Sequence, residues 1–290
     1  MQINDRCLPC LVNQAVRVAE MTGVQDRHGL YRKFFACLAK TDFTLSNPEL
    51  LGDFFGIVKE HLGAEDPYRE MKLHYDRMFL ELLPVFEKRI EAAEDPFAEA
   101  VKYAAVGNVI DFSPIHGITE EQVMAAFERL NERPLVPDDS ARLLRDVRRA
   151  KRILYIGDNC GEIALDKLLV RRMRAENPEA EIFFGVRGEP IVNDALEEDA
   201  LLVGMDKVAR IVSNGDRSQG TVLSRVSDEF RAVYEAADVI VSKGQANFES
   251  LSEEKGNIYF LMMVKCGVIA GYTGVPEGSM VCMHKGRRDA

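Results

Sequence analysis

A change of hydrophobic rhythm near Arg149 constrains this chain more than any other feature of its sequence. Beyond it, short apolar runs of strand type alternate with helical stretches: RILYIG (152–157), EIFFGVR (181–187), ARIVSNG (209–215), DVIVSKG (238–244) and NIYFLMM (257–263). Runs without polar alternation, separated by helices, predict a parallel sheet buried on both faces. Between the first two runs, EIALDKLLVRRMRAE sets Leu165, Leu168, Leu169 and Met173 on one helical face. The second half is therefore predicted to be a Rossmann-like three-layer α/β sandwich with a mainly parallel sheet.

The first half has a different period. LVNQAVRVAEM, YRKFFACLAK, LLGDFFGIVKEHL, MKLHYDRMFLELLPVFEKRIEAA and FAEAVKYAAVGNVI repeat apolar residues three and four apart, as amphipathic helices do. Asn47-Pro48 and Asp66-Pro67 read as helix starts, Gly23 and Gly63 as stops. The prolines of RPLVPDDS (133–140) read as a connector. The expected organisation is a helical domain over 1–140 and the α/β domain over 141–290. IYFLMMVKCGVIAGY (258–272) is cut by Lys265 and is too short to span a bilayer, so it reads as a buried strand and its exit.

Charge and cysteine usage narrow the partners. With 37 basic against 47 acidic residues the formal charge is -10, which repels phosphate backbones and anionic lipid. Nucleic acid and membranes are thus not expected partners. The six cysteines are scattered and form no disulfide framework, and MQINDRCLPC carries charges where a signal peptide needs an apolar core. A reducing cytoplasm is the expected setting.

In parallel α/β sheets ligands sit beyond the carboxyl ends of the strands. There the first run ends in Gly157-Asp158-Asn159, and the second in Arg187-Gly188, followed by Asn193 and Asp194. The third ends in Ser213-Asn214-Gly215-Asp216, and the fourth carries Ser242, Lys243, Gly244, Asn247 and Glu249. Asp158, Asn159 and Asp194 offer hard oxygen donors without imidazole, a set that suits magnesium or manganese better than zinc. The plainer reading is that Asp158 or Asn159 only caps the helix beginning near Gly161. Lys243 with Gly244, before a helix start, reads either as a solvated lysine or as an anion seat to which Arg187 could contribute. In VGNVIDF, Asn108 and Asp111 share a helix face within an apolar segment, as caps or as walls of a cleft. Cys7 and Cys10 have the spacing of half a metal site or a redox pair, yet no second CxxC follows. Cys160 lies in the rim turn, but no histidine lies at a strand end to activate it, so it reads as a bystander.

Taken in order, GDNCGEIALD, VRGEPIVNDA, SNGDRSQGT and SKGQANFESL, preceded by GNVIDF, resemble the motifs of the damage-control phosphatase family, the DUF89 proteins. CLPC resembles its cysteine-bearing prokaryotic subfamily. The resemblance covers nearly the whole chain and implies a metal-dependent phosphatase of small phosphorylated metabolites such as sugar phosphates, nucleotides or damaged phosphometabolites. It implies Asp158, Asn159 and Asp194 as ligands of a divalent ion (Mn, Co, Ni or Mg). It implies Lys243 and Gly244 as the phosphate-contacting strand exit, and Asn108 and Asp111 as residues facing the cleft. Arg187, Asn193, Ser242, Asn247 and Glu249 complete the expected phosphate- and substrate-binding set. Arg217 is bulkier and more charged than the family's third motif leads one to expect.

Other classes fit less well. An S-adenosylmethionine-dependent carboxyl methyltransferase, an activity described in a eukaryotic branch of the family, normally needs a glycine-rich first loop and an acid after the second strand. Here those places hold Asp158-Asn159 and Arg187. No GxxxxGK[ST] loop supports a kinase. A non-catalytic metal- or metabolite-binding protein remains the third reading.

Overall fold

The computed structural model describes residues 1–107, 120–131 and 133–286. Its first half is helical: α1 (Leu8–Thr22), α2 (Arg27–Leu38), α3 (Asn47–Leu62), α4 (Arg69–Ala92), α5 (Pro96–Gly107) and α6 (Glu120–Asn131). Local chemistry sets the boundaries. Ser46 and Glu49 form a reciprocal capping box before α3, and Gly63 closes that helix in the left-handed conformation.

Seven strands make one sheet: β1 (Leu135–Asp138), β2 (Arg152–Ile156), β3 (Glu181–Val186), β4 (Arg210–Ser213), β5 (Val239–Lys243), β6 (Ile258–Met263) and β7 (Met280–His284). Their order is β1-β7-β6-β5-β2-β3-β4. All neighbours are parallel except β6 and β7, as the mainly parallel reading requires. The chain runs from β2 outward to β3 and β4, then returns to β5 on the other side of β2. A crevice therefore opens where β2 and β5 end, at the switch point of the sheet.

Two segments depart from expectation. RPLVPDDS is not only a connector, because β1 forms within it as an edge strand, where proline is tolerated. The exit after β6 is a short helix, α12 (Gly267–Thr273), and the chain then returns as β7, a buried five-residue strand too brief to stand out by pattern.

Strand alternation divides the core. Ile153, Tyr155, Val241, Tyr259 and Leu261 face one cluster, shared with Phe79 and Phe86 of α4, Tyr103 of α5 and Leu165 of α8 (Glu162–Glu176). Leu154, Ile156, Ile240 and Phe260 face the other, with Phe230 of α10 (Asp228–Ala236) and Phe248 of α11 (Gln245–Leu251). The first half thus supplies one outer layer of the sandwich. α1, α2 and α3 pack in a third cluster that reaches Ile191 after β3. Among the described residues, no helix is long and apolar enough to cross a membrane.

Candidate active site

The turns that follow β2 and β3 are stitched together by backbone. Ala195 N–H donates to Asp158 C=O (2.8 Å), Cys160 N–H donates to Asn193 C=O (2.9 Å), and Asn159 bridges Asp194 in antiparallel fashion. This pairing sets Asp158, Asn159 and Asp194 side by side although 35 residues separate 159 from 194. A single guanidinium spans the two acids: Arg187 Nε donates to Asp194 Oδ2 at 2.6 Å, and Arg187 Nη2 lies 3.6 Å from Asp158 Oδ1. One oxygen of each carboxylate is left uncommitted to Arg187.

Behind them lies a second buried ion cluster. Lys243 Nζ, at the end of β5, sits 2.5 Å from Asp166 Oδ1 and 3.3 Å from Glu162 Oε1, and Tyr155 OH donates to Asp166 Oδ1 at 2.7 Å. Asn159 joins the clusters, its Nδ2 donating to Asp158 Oδ2 (3.0 Å) and Glu162 Oε2 (3.4 Å). That commits the amide nitrogen and leaves Oδ1 for a cation.

Charge does not balance here. Asp158, Glu162, Asp166 and Asp194 share the interior with two buried cations, Arg187 and Lys243, all six almost wholly buried. Burial, then Glu162 and Asp194, pushes the Asp158 carboxyl up to about 8. Burial likewise raises Asp194 despite Arg187. For Lys243, burial alone would lower the pKa, but Asp166 and Glu162 outweigh it and raise the value. Four acids against two bases leave a deficit that a divalent cation would fill, and hard oxygen donors suit such an ion. Among the described residues no group of three His, Cys, Asp or Glu side chains is arranged to hold a metal. The donor set that fits is therefore two carboxylates and an amide.

Capping does not explain Asp158 or Asn159. α8 begins at Gly161 without a side-chain cap from either; Gly161 N–H donates instead to Asp76 Oδ1 of α4 at 2.6 Å. Gly244 has φ +80°, and a Cβ there would stand 1.8 Å from Asp158 Oδ2. Only glycine lets the carboxylate lie against the start of α11.

Several expected phosphate contacts take other places. Lys243 is no solvated strand exit: its ammonium is fully buried between its own carboxylates. Arg187 is equally buried, and its Nη1 donates to Thr221 Oγ1 at 3.2 Å. Asn247 is a brace, its Nδ2 donating to Gly157 C=O (3.0 Å) and Lys243 C=O (2.7 Å) while its Oδ1 accepts from Thr221. Ser242 is buried, and its Oγ makes no hydrogen bond among the described residues. Asn193 and Glu249 do line the cleft in front of Asp158. Asn108 and Asp111 lie outside the described residues.

That cleft has a volume of about 510 Å³ and runs from Asp158 and Asn159 to residues of the first helix. More than half of the chain's asparagines and glutamines line it, among them Asn4, Asn13, Gln14, Asn47, Gln219 and Gln245. Cys7 and Cys10 are free thiols on its wall, while Cys160 is buried and its thiol is pushed up by burial. Glu162 and Asp166 were missed by motif reading. Their four-residue spacing on the buried face of α8 was the available sign.

Comparison with known proteins agrees with this architecture. A family model, the damage-control phosphatase ARMT1-like domain, matches residues 3–281. The damage-control phosphatase PH1575 of Pyrococcus horikoshii is 36% identical over 288 residues, covering 98% of each chain. A damage-control phosphatase of Archaeoglobus fulgidus is 36% identical over 227 residues, 77% of each chain. The crystal structure of the DUF89 family protein PH1575 superposes with a TM-score of 0.91, covering 98% of this chain and 99% of that one.

Proposed function

Because this chain belongs to the damage-control phosphatase ARMT1-like family, we propose that it hydrolyses small phosphorylated metabolites at a divalent-cation centre held by Asp158, Asn159 and Asp194. The observation that carries this reading is the buried excess of carboxylates at the mouth of a polar cleft. Relatives named phosphatases support the reaction class. A bound Mn, Co, Ni or Mg ion would supply Lewis-acid neutralisation of the phosphoryl oxygens.

The chain's own groups do the rest. Arg187 and Lys243 do not touch substrate; they hold the carboxylates in place and temper their mutual repulsion. The glycine at 244 lets Asp158 reach the cleft floor. Amide side chains along the cleft can both donate to and accept from hydroxyl groups. Among the described residues only one aromatic ring, Tyr68, lines the cleft, so stacking of a base has little support. Phosphorylated polyols therefore fit better than nucleotides. The methyltransferase reading gains nothing: β3 ends in a buried, paired Arg187 where a ribose would need an acid.

The test is phosphate release from a panel of sugar phosphates and nucleotides with each of the four metals, using wild type and Asp158→Ala. Release by wild type that is lost in the variant is expected. No release from any pairing, or near-normal turnover by the variant, overturns the proposal.

A further inference from the structure

Three cations that take part in none of the ion pairs among the described residues line the cleft. Arg6 sits in the short 3-10 turn Asp5–Cys7, Arg17 in α1, and Lys265 follows β6. All three are exposed and line the same cavity as Asp158. Among the described residues none has a carboxylate within ion-pair distance. Some surface cations elsewhere are paired, as Lys59 is with Glu189 (3.0 Å) and Arg217 with Asp53 (3.3 Å), and others are not; what sets these three apart is that they line one cavity. In a protein of formal charge -10, unpaired cations from three separate stretches, gathered in one concavity, make a local positive field.

Their depth differs. Lys265 stands by the start of α11, its backbone N–H donating to Gln245 Oε1 at 3.1 Å, next to the Gly244 that packs against Asp158. Arg17 stands by Tyr68 and Arg6 by Gly267, on the wall formed by the first helix and the loop after β6. Two carboxylates stand by that wall: Glu249, engaged by Gln245 Nε2 at 3.1 Å, and Glu277, whose Oε2 flanks Gly267 as Arg6 does without pairing with it among the described residues. A cavity of about 510 Å³ falls within the range that holds a whole small molecule, so an esterified phosphoryl at Asp158 leaves room for the rest of the metabolite.

Building on the phosphatase reading, we propose that Arg6 and Arg17 form a distal anion subsite, with Lys265 the nearer cation between it and the acid cluster. The substrates this cleft selects then carry a second anionic group, carboxylate or phosphate, at the far end from the phosphoryl that is cleaved. Phosphorylated sugar acids and bisphosphates belong to that class.

The experiment compares phosphogluconate with the glucitol monophosphate esterified at the same carbon, two open-chain compounds that differ only in the group at the far end. Wild type favours phosphogluconate in kcat/KM, and Arg6→Gln/Arg17→Gln lowers that preference about tenfold or more through KM, as loss of charged hydrogen bonds predicts. Arg6→Lys/Arg17→Lys restores part of the preference, and Arg210→Gln, at the opposite sheet edge, keeps the wild-type ratio. A wild type without preference, or a glutamine variant with the ratio intact, overturns the subsite. Fructose bisphosphate against fructose monophosphate tells whether the second anion is read as phosphate as well as carboxylate. Should neither compound be hydrolysed, titration calorimetry of the same pair with manganese present separates the two proposals. Tighter phosphogluconate binding that the glutamine variant loses sustains the subsite without the phosphatase, and equal binding removes it.

Discussion

Asp76, buried in α4, accepts the backbone N–H of Gly161 at 2.6 Å across 85 residues of sequence. The bond satisfies the start of α8 and fixes the turn that carries Asp158 and Asn159. Lys72, one turn earlier in α4, pairs with Asp66 (3.1 Å) and with Asp199 of α9 (Glu197–Leu202) at 2.9 Å. A helix of the first half therefore positions the acid turn of the second.

Asp76→Ala strands the Gly161 N–H in the interior, at a cost of about 1–3 kcal/mol. Asp76→Asn keeps an acceptor. Phosphate release should fall sharply in the alanine variant and much less in the asparagine one. Equal losses in both would show that this hydrogen bond is not what matters.

The same residue predicts a pH dependence. Burial first, then the charge of Asp199, lifts the Asp76 carboxyl from the usual carboxylate range to about 8. Its folded form holds a proton that the unfolded chain releases, so its contribution to stability is complete below the usual carboxylate pKa. That contribution is lost as pH rises through about 8. Thermal midpoints should show the wild type losing ground to Asp76→Asn between about pH 5 and about 8, with no further change above. A gap independent of pH would contradict the assignment.

Gly244→Ala would drive a methyl group into Asp158 and force a left-handed backbone on alanine, a strain of about 1–3 kcal/mol. The fold should persist by circular dichroism, while manganese affinity by calorimetry drops about tenfold or more, an Asp158 displacement worth ~1.4 kcal/mol or more. Unchanged affinity would mean that Asp158 does not hold the ion.

Lys243→Met removes one of the two cations buried among the acids of the site and leaves Asp166 and Glu162 facing each other. Such loss of one partner typically costs about 3–5 kcal/mol. Urea unfolding should register it, and adding Asp166→Asn should recover part of the loss. If the single variant is as stable as wild type, the ammonium is not what balances these acids.

Much of this was legible in the sequence, and the limits have physical causes. Strand exits could be read because buried parallel strands are short apolar runs, which located Asp158, Asn159 and Asp194 before any geometry. Whether Arg187 and Lys243 face a ligand or their own carboxylates could not be read. Their partners come from the adjoining turns and from one face of α8, and only the order of strands brings these together. Pro137 concealed β1 because an edge position forgives what an interior one does not. Asp76 left no mark at all, since its partner is a backbone amide 85 residues away.

Cutting the chain near residue 140 would strip one side of the sheet. Tyr155, Tyr259 and Leu261 rest on Phe79, Phe86 and Tyr103, side chains donated by helices from before that point. The boundary visible in the sequence is a seam in architecture and no place for scissors. A fragment starting there would arrive with its hydrophobic interior wet and its acid turn untethered, and it would be expected to aggregate before it could bind anything.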